Sequence, residues 1–223
     1  MKAVLIITGG DIDRKFGRDF LKNHEYEEII AVDGGLAFAY EADINPTYIV
    51  GDFDTIDNDI LRKYYSSDNT DKNCTEIIRL NPVKDSTDTE EAVNLAIKLG
   101  AGIIHILGGI GNRLDHSLGN LFLLKKSLKN GVSATIFTQN SEIYMIDKKT
   151  IIENTHKYKY ISFIQFDGNA KGVTLKGFKY QIENFDFDTE KTYRLGISNE
   201  FDGECGVVDI KSGELLVVMT NDL

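Results

Sequence analysis

Only two cysteines stand in 223 residues, Cys74 and Cys205, far apart and in no Cys-x-x-Cys pattern. That scarcity excludes a disulfide framework and a structural zinc site, and it fits a reducing compartment. Basic residues are also short: 25 Lys and Arg against 35 Asp and Glu give a formal net charge of −10. The electropositive footprint of a nucleic-acid or anionic-membrane binder is therefore missing, and cations, or polyanions carried by metal ions, are the fitting partners. Long apolar runs are absent too. Ala3 to Ile7 is too short for the apolar stretch of a signal peptide, and no later run reaches transmembrane length. No low-complexity linker and no internal repeat interrupts the chain. What is present, 42% hydrophobic residues, suffices to bury a core in one large domain or two small ones. The expectation is a soluble cytoplasmic protein that binds neither nucleic acid nor membrane.

The first 140 residues repeat one pattern, a short apolar run, then glycine or aspartate, then an amphipathic stretch. Val4–Ile7 leads into Thr8-Gly9-Gly10 and a helix to about Asn23. Glu28–Val32 leads into Asp33-Gly34-Gly35 and a helix over Leu36–Ala42. Tyr48–Val50 leads into Gly51-Asp52-Phe53-Asp54-Thr55 and a helix over Ile56–Tyr65. Glu76–Leu80 leads into Lys84-Asp85-Ser86-Thr87-Asp88 and a helix to Leu99, with Thr87 and Glu90 spaced as a capping box. Ile103–Leu107 leads into the glycine-rich stretch Gly108–Asn120 and a helix over Leu114–Lys129, followed by a strand at Ala134–Thr138. Apolar strands alternating with helices predict a doubly wound, mainly parallel α/β sheet, which binds ligands at the carboxyl ends of its strands. Asp33, Asp52, Asp54, Asp85, Asp88 and Asp115 all fall just past such ends.

Beyond about Gln139 alternating or β-branched runs recur and the helical stretches between them vanish. Strands are expected at Glu142–Ile146, Tyr158–Phe166, Gly172–Leu175, Tyr193–Ile197, Gly206–Ile210 and Leu215–Met219, with turns at Asp167-Gly168, Lys176-Gly177, Asp202-Gly203 and Ser212-Gly213. This predicts an all-β sandwich or barrel. The domains expected are thus residues 1–140 and 141–223.

Each acidic cluster admits two readings. Asp52 and Asp54 alternate along extended chain and either hold Mg²⁺ beside phosphate oxygens or merely furnish a solvated turn. Asp85 and Asp88 either join them or cap a helix. Carboxylates converging from separate strand ends repel one another unless a cation lies between them, which favours the metal. Lys84 and Arg113 suit phosphate, Arg113 through its bidentate fork, or are surface ion-pair partners. Glycines after a strand let the backbone approach a ligand, and a nearby helix start offers N–H groups to phosphate. His116 is either a base or a packing residue, and His105, inside a strand, is structural.

Together Asp33-Gly34-Gly35, Gly51 to Thr55, Lys84 to Asp88, Gly108 to Asn120 with its Arg113-x-Asp115-His116 core, and Ser198-Asn199-Glu200-Phe201 resemble the thiamin pyrophosphokinase family. The resemblance spans nearly the whole chain. Thr55 stands where many relatives have serine, and Phe201 where some have a larger aromatic. It implies a nucleotide-binding catalytic domain followed by a thiamin-binding β-sandwich, ATP and thiamin as substrates, Mg²⁺, and a homodimer with the active site at the subunit interface. It further implies Asp52, Asp54 and Asp88 as metal ligands, with Asp85 nearby. Arg113 would neutralise phosphate charge, and Asp115 would orient or deprotonate the thiamin hydroxyl. Asp33, Gly34, Lys84, Gly109, Gly111 and Asn120 would contact the nucleotide, and Ser198, Asn199 and Phe201 thiamin.

Three rivals fit less well. A haloacid-dehalogenase-type phosphatase shares the strand ending in Asp-x-Asp but wants Thr or Val where Ile56 stands. A dinucleotide oxidoreductase would need a third glycine where Leu114 stands, at a point of close packing. A non-catalytic sensor leaves the clustered acids without a purpose.

Overall fold

A strand that is apolar on both sides needs a layer on each of its faces. Val4, Leu5, Ile6 and Ile7 are wholly buried, so β1 (Ala3–Ile7) belongs in the middle of a covered sheet. The computed structural model describes residues 1–53, 58–64, 75–81, 83, 85–166, 168–192 and 195–222, which fall into two units, Met1–Gln139 and Asn140–Leu223. In the first unit β1 is joined by β2 (Glu28–Val32), β3 (Tyr48–Gly51), β4 (Glu76–Arg79), β5 (Ile103–Leu107) and β6 (Ser133–Phe137). Their order is β4-β3-β2-β1-β5-β6, every pair parallel. The helices are α1 (Arg14–Lys22), α2 (Gly35–Glu41), α3 (Asn58–Tyr64), α4 (Asp88–Lys98) and α5 (Leu114–Lys129). Because the chain leaves β4 at one edge and re-enters beside β1 as β5, the order reverses there. Loops on either side of such a switch point diverge and leave a crevice at the carboxyl ends.

The second unit is a sandwich of antiparallel sheets. One has the order β7 (Ser141–Ile146), β13 (Leu215–Thr220), β9 (Tyr160–Ile164), and the other β11 (Ile182–Phe187), β10 (Ala170–Lys176), β12 (Cys205–Asp209), β8 (Thr150–Glu153). Phe163 from the first sheet, Val173, Leu175 and Phe187 from the second, and Phe178 just after β10 share one buried cluster. Gly168, Gly177, Gly203 and Gly213 all have positive φ, as their turn signals imply. Asp167 itself lies outside the described residues.

The expected strand at Tyr193–Ile197 is not one. Residues 193–194 lie outside the described residues, and from Leu195 the chain turns, with Gly196 at φ 86° and Leu195 and Ile197 exposed. Their apolar side chains mimic a strand without being buried as one. Conversely, β8 and β11 escape a hydrophobicity reading because each buries only one residue and carries polar neighbours. The capping box at α4 is half formed: Thr87 Oγ1 accepts from the Glu90 N–H at 3.1 Å, but the Glu90 carboxylate turns to Lys126 Nζ on α5, 2.9 Å away. Among the described residues no helix is long and apolar enough to cross a membrane.

His105 on β5 should give the first unit a pH-dependent stability. Its Nδ1 lies 2.7 Å from the Tyr26 hydroxyl, and its ring packs edge-on against His24 and Phe137. Burial first, and the neighbouring His24 second, push its pKa down from 6.5 to about 4. The unfolded chain therefore takes up a proton that the folded chain refuses. Stability contributed by the neutral ring is complete above pH 6.5 and lost as pH falls toward 4, with a slope of up to about 1.4 kcal/mol per pH unit. Glu27, Asp115 and Glu200, whose carboxyls are held below their ordinary range, act only at lower pH. Urea midpoints measured between pH 7 and 5 should fall for the native protein and much less for His105→Gln; parallel slopes would show that His105 is not the group responsible.

Candidate active site

The loops at the carboxyl ends of the parallel strands enclose a cleft of about 530 Å³. Its floor is backbone packed on backbone. Gly10 N–H donates to Gly108 O at 3.0 Å and Asp11 N–H to Ile110 O at 3.1 Å, so the loop after β1 continues pairing with the loop after β5 beyond the strands themselves. A Cβ at Gly10 would run into the carbonyl oxygens of Gly108 and Ile110, and Gly108 sits at φ 72°. These glycines are required because two main chains touch, which differs from the expectation that they open the backbone to a ligand.

The walls bring in the carboxylates. Asp33 follows β2 in the left-handed region, at φ 42°, and Asp52 follows β3. Asp88 opens α4, whose first turn is held to the end of β1 by a buried hydroxyl pair, Thr8 Oγ1 to Thr89 Oγ1 at 3.1 Å. Asp33, Gly34, Asp52, Asp88, Gly109, Gly111, Arg113 and Asn120 all line this one cleft. Asp85 does not; it is exposed in the bend before α4. Asp54 and Lys84 lie outside the described residues, as do Thr55 and Cys74. Residues that the strand-end pattern alone did not single out also line the cleft, among them Asp11, Asn112 and Ser117. Thr8-Gly9-Gly10-Asp11 carries the same signal as Asp33-Gly34-Gly35, a glycine pair directly past a strand.

At the entrance of α5 Arg113 is the N-cap residue, but no side chain caps the helix in the usual way. Ser117, buried one turn in, ties the preceding loop to the helix: its Oγ accepts from the Gly111 N–H at 3.1 Å and lies within bonding distance of the carbonyls of Gly111 and Arg113. That commits the Gly111 N–H to the loop rather than to a phosphate. Asn120 likewise donates to Gly109 O at 2.8 Å, so the same helix holds the loop at two points. Arg113 grips Asp115 through Nε at 3.2 Å and Nη2 at 2.6 Å. Arg113's hydrogen bonds, joined by the His116 backbone N–H, hold the Asp115 carboxyl below its ordinary range, and Asp115 raises the guanidinium. A carboxylate so stabilised is a poor proton acceptor, which favours orienting a hydroxyl over deprotonating it.

Among the described residues no group of three or more His, Cys, Asp or Glu forms a ready metal cage. The donor chemistry still fits Mg²⁺, which takes one or two hard carboxylates and fills its other positions with water and phosphate oxygens.

In the second unit Asn199 is 2% exposed and shapes its own loop. Its Oδ1 accepts from the N–H groups of Tyr180 and Glu200, each at 2.9 Å, and its Nδ2 donates to Tyr180 O at 2.8 Å. It closes one end of an aromatic pocket of about 270 Å³ with Tyr180, Phe185 and Phe187 in its wall. Ser198 sits beside it at φ 57°, its N–H bonded to Ser162 Oγ at 3.0 Å. Phe201 packs on Phe178 at 5.3 Å between ring centres; neither Ser198 nor Phe201 is among the described residues that line the pocket.

The family model of the thiamin pyrophosphokinase catalytic domain matches residues 19–136, and that of the vitamin B1 binding domain residues 148–217. The chain belongs to the thiamin pyrophosphokinase family. It is 31% identical to the thiamine pyrophosphokinase of Bacillus subtilis (strain 168), with 100% of each chain covered. The crystal structure of thiamine pyrophosphokinase from Bacillus subtilis matches with a TM-score of 0.86 at 30% identity, over 100% of both chains. That of thiamin pyrophosphokinase from Geobacillus thermodenitrificans matches at 0.82 and 26% identity, over 99% of this chain and 98% of that one. The parallel first unit and β-rich second unit are the architecture that membership of the thiamin pyrophosphokinase family implies, and the chain is an enzyme of that family.

Proposed function

We propose that this protein transfers the pyrophosphoryl group of ATP to the hydroxyl of thiamin, forming thiamin diphosphate and AMP. The observation that carries this reading is the convergence of Asp33, Asp52, Asp88 and Arg113, from four separate strand-end loops, on one cleft. Asp52 and Asp88, with Asp54, would hold Mg²⁺, and Asp85 stands near. When bound, that ion neutralises phosphate charge. The chain's own groups do the rest by positioning and electrostatics, on which such transfers chiefly depend. Arg113 spends Nε and one Nη2 N–H on Asp115, which leaves other N–H donors of its fork for phosphate oxygens. Asp115 orients the thiamin hydroxyl, whose oxygen bonds to the β-phosphorus as the bond from that phosphorus to the bridging oxygen of AMP breaks, its proton passing to solvent. Gly34, Gly109 and the first turn of α5 offer backbone N–H groups to the polyphosphate, with Lys84 adding charge.

The reading extends to a homodimer with the active site at the subunit interface, where the second unit supplies Ser198, Asn199 and Phe201 to thiamin. An aromatic face suits a cationic ring system. Incubation with ATP, Mg²⁺ and thiamin should yield AMP and thiamin diphosphate in equal amounts. ADP in place of AMP would overturn pyrophosphoryl transfer, and free phosphate without thiamin diphosphate would favour the phosphatase rival.

A further inference from the structure

The carboxylates reach the cleft by different means. Asp33 N–H donates to Val50 O at 3.2 Å, and the Gly51 carbonyl beside Asp52 accepts from the Leu80 N–H at 2.8 Å, so main-chain bonds between neighbouring strands fix these two. Asp88 stands on no strand. It is the first residue of α4, and where its carboxylate falls depends on how the N-terminus of that helix is seated.

Two side-chain bonds seat it. One joins Glu90 to Lys126 on α5, a pair whose side chains are each about one third exposed, so solvent weakens it. The other joins Thr8 Oγ1 to Thr89 Oγ1, and these residues are 7% and 8% exposed. Thr8 is a firm anchor. Its N–H donates to Leu107 O at 2.9 Å, and its main chain is packed so closely that a Cβ at Gly35 would run into its nitrogen and one at Gly108 into its oxygen. The loops after β1, β2 and β5 thus meet at Thr8, and Thr89 fastens the end of α4 that carries Asp88 to that point.

Stability alone gives no reason for hydroxyls here. Two valines have nearly the same shape, and replacing both partners of a buried hydrogen bond by apolar groups is close to neutral. What valines cannot do is fix direction, because a hydrogen bond holds its atoms within a narrow range of distance and angle while methyl groups slide past one another. We infer that Thr8 and Thr89 are positioning residues for the transfer: their hydroxyl bond sets where Asp88, on a helix, stands against Asp52, on the sheet. The inference rests on the proposed reading in which these two carboxylates hold Mg²⁺. That ion demands near-ideal octahedral geometry, so a small displacement of α4 costs it a ligand.

The test compares the double variant Thr8→Val/Thr89→Val, which removes both hydroxyls, with Thr8→Ser/Thr89→Ser, which keeps them. Calorimetric titration with ATP in the absence of thiamin gives a readout apart from turnover. In the valine pair, ATP affinity in the presence of Mg²⁺ should fall about tenfold, while affinity in EDTA stays within about twofold of wild type and the melting temperature within a few degrees. The kcat should fall by about ten- to a hundredfold with the thiamin KM within about twofold, and the serine pair should recover most of both losses. An unchanged affinity with Mg²⁺ in the valine pair overturns the inference. So does an equal loss with and without metal, which would mean that the whole cleft has been deformed. A valine pair that does not fold, or a serine pair as impaired as the valine pair, also overturns it, since the hydroxyls would then serve stability or the methyl groups the packing. Failure of the wild-type protein to form AMP and thiamin diphosphate is a separate result, read before any variant is made: it sinks the functional reading, while the binding titration still decides whether the pair positions Asp88.

Discussion

Asp88→Asn is expected to lower kcat about a thousandfold while leaving the fold in place. Asparagine is nearly the same shape, and Asp88 stands in the first turn of α4, where loss of the charge costs the helix only about 0.3–1 kcal/mol. Removing a carboxylate that holds Mg²⁺ against phosphate should instead cost several kcal/mol of transition-state stabilisation, and about 4 kcal/mol is a factor of a thousand. Thermal unfolding separates the two effects, because the melting temperature should move by no more than a few degrees. Titration with Mg²⁺ gives the second readout: Asp88→Asn should need more metal for half-maximal rate. Near-normal kcat with an unaltered Mg²⁺ dependence would remove Asp88 from the metal site, and Asp52→Asn examined in the same way tests its partner across the cleft.

Gly10→Ala should damage both stability and activity, although it adds one methyl group to a residue that carries no chemistry. The new Cβ points at the carbonyl oxygens of Gly108 and Ile110, at a place where the loops after β1 and β5 are joined by two backbone hydrogen bonds. Neither oxygen belongs to a flexible side chain, so the loops must part. We expect a loss of about 1–3 kcal/mol from overpacking, and a fall in kcat/KM of about a hundredfold as Asp11 and Arg113 shift against the walls. Gly119→Ala makes the same change where a Cβ meets no heavy atom among the described residues and is the stability control. If Gly10→Ala unfolds like Gly119→Ala and keeps wild-type kcat/KM, the backbone contact does not shape the site.

Much of this organisation is legible without coordinates. The first five apolar runs are strands, α5 has the bounds Leu114–Lys129 read from its pattern, and the aspartates sit past strand ends because a covered parallel sheet confines polar side chains to its rims. These features follow from periodicity and from turn chemistry, which act over a few neighbouring residues.

The contacts between segments far apart in the chain are another matter. Whether Asp33, Asp52 and Asp88 face one another depends on the strand order β4-β3-β2-β1-β5-β6, which periodicity does not encode. The same holds for the tie between α4 and α5, where the Glu90 carboxylate leaves its capping position and meets Lys126, 36 residues away. That Asn199, a thiamin contact by resemblance, also holds the backbone of Tyr180 is not legible in its motif, and Tyr193–Ile197 reads as a strand until Gly196 bends it. The sequence alone determined most of the elements, the acidic rim and the family. Tertiary structure decided which loops meet, because closing a chain on itself brings together groups whose mutual fit, in charge and in atomic volume, is written at no single position.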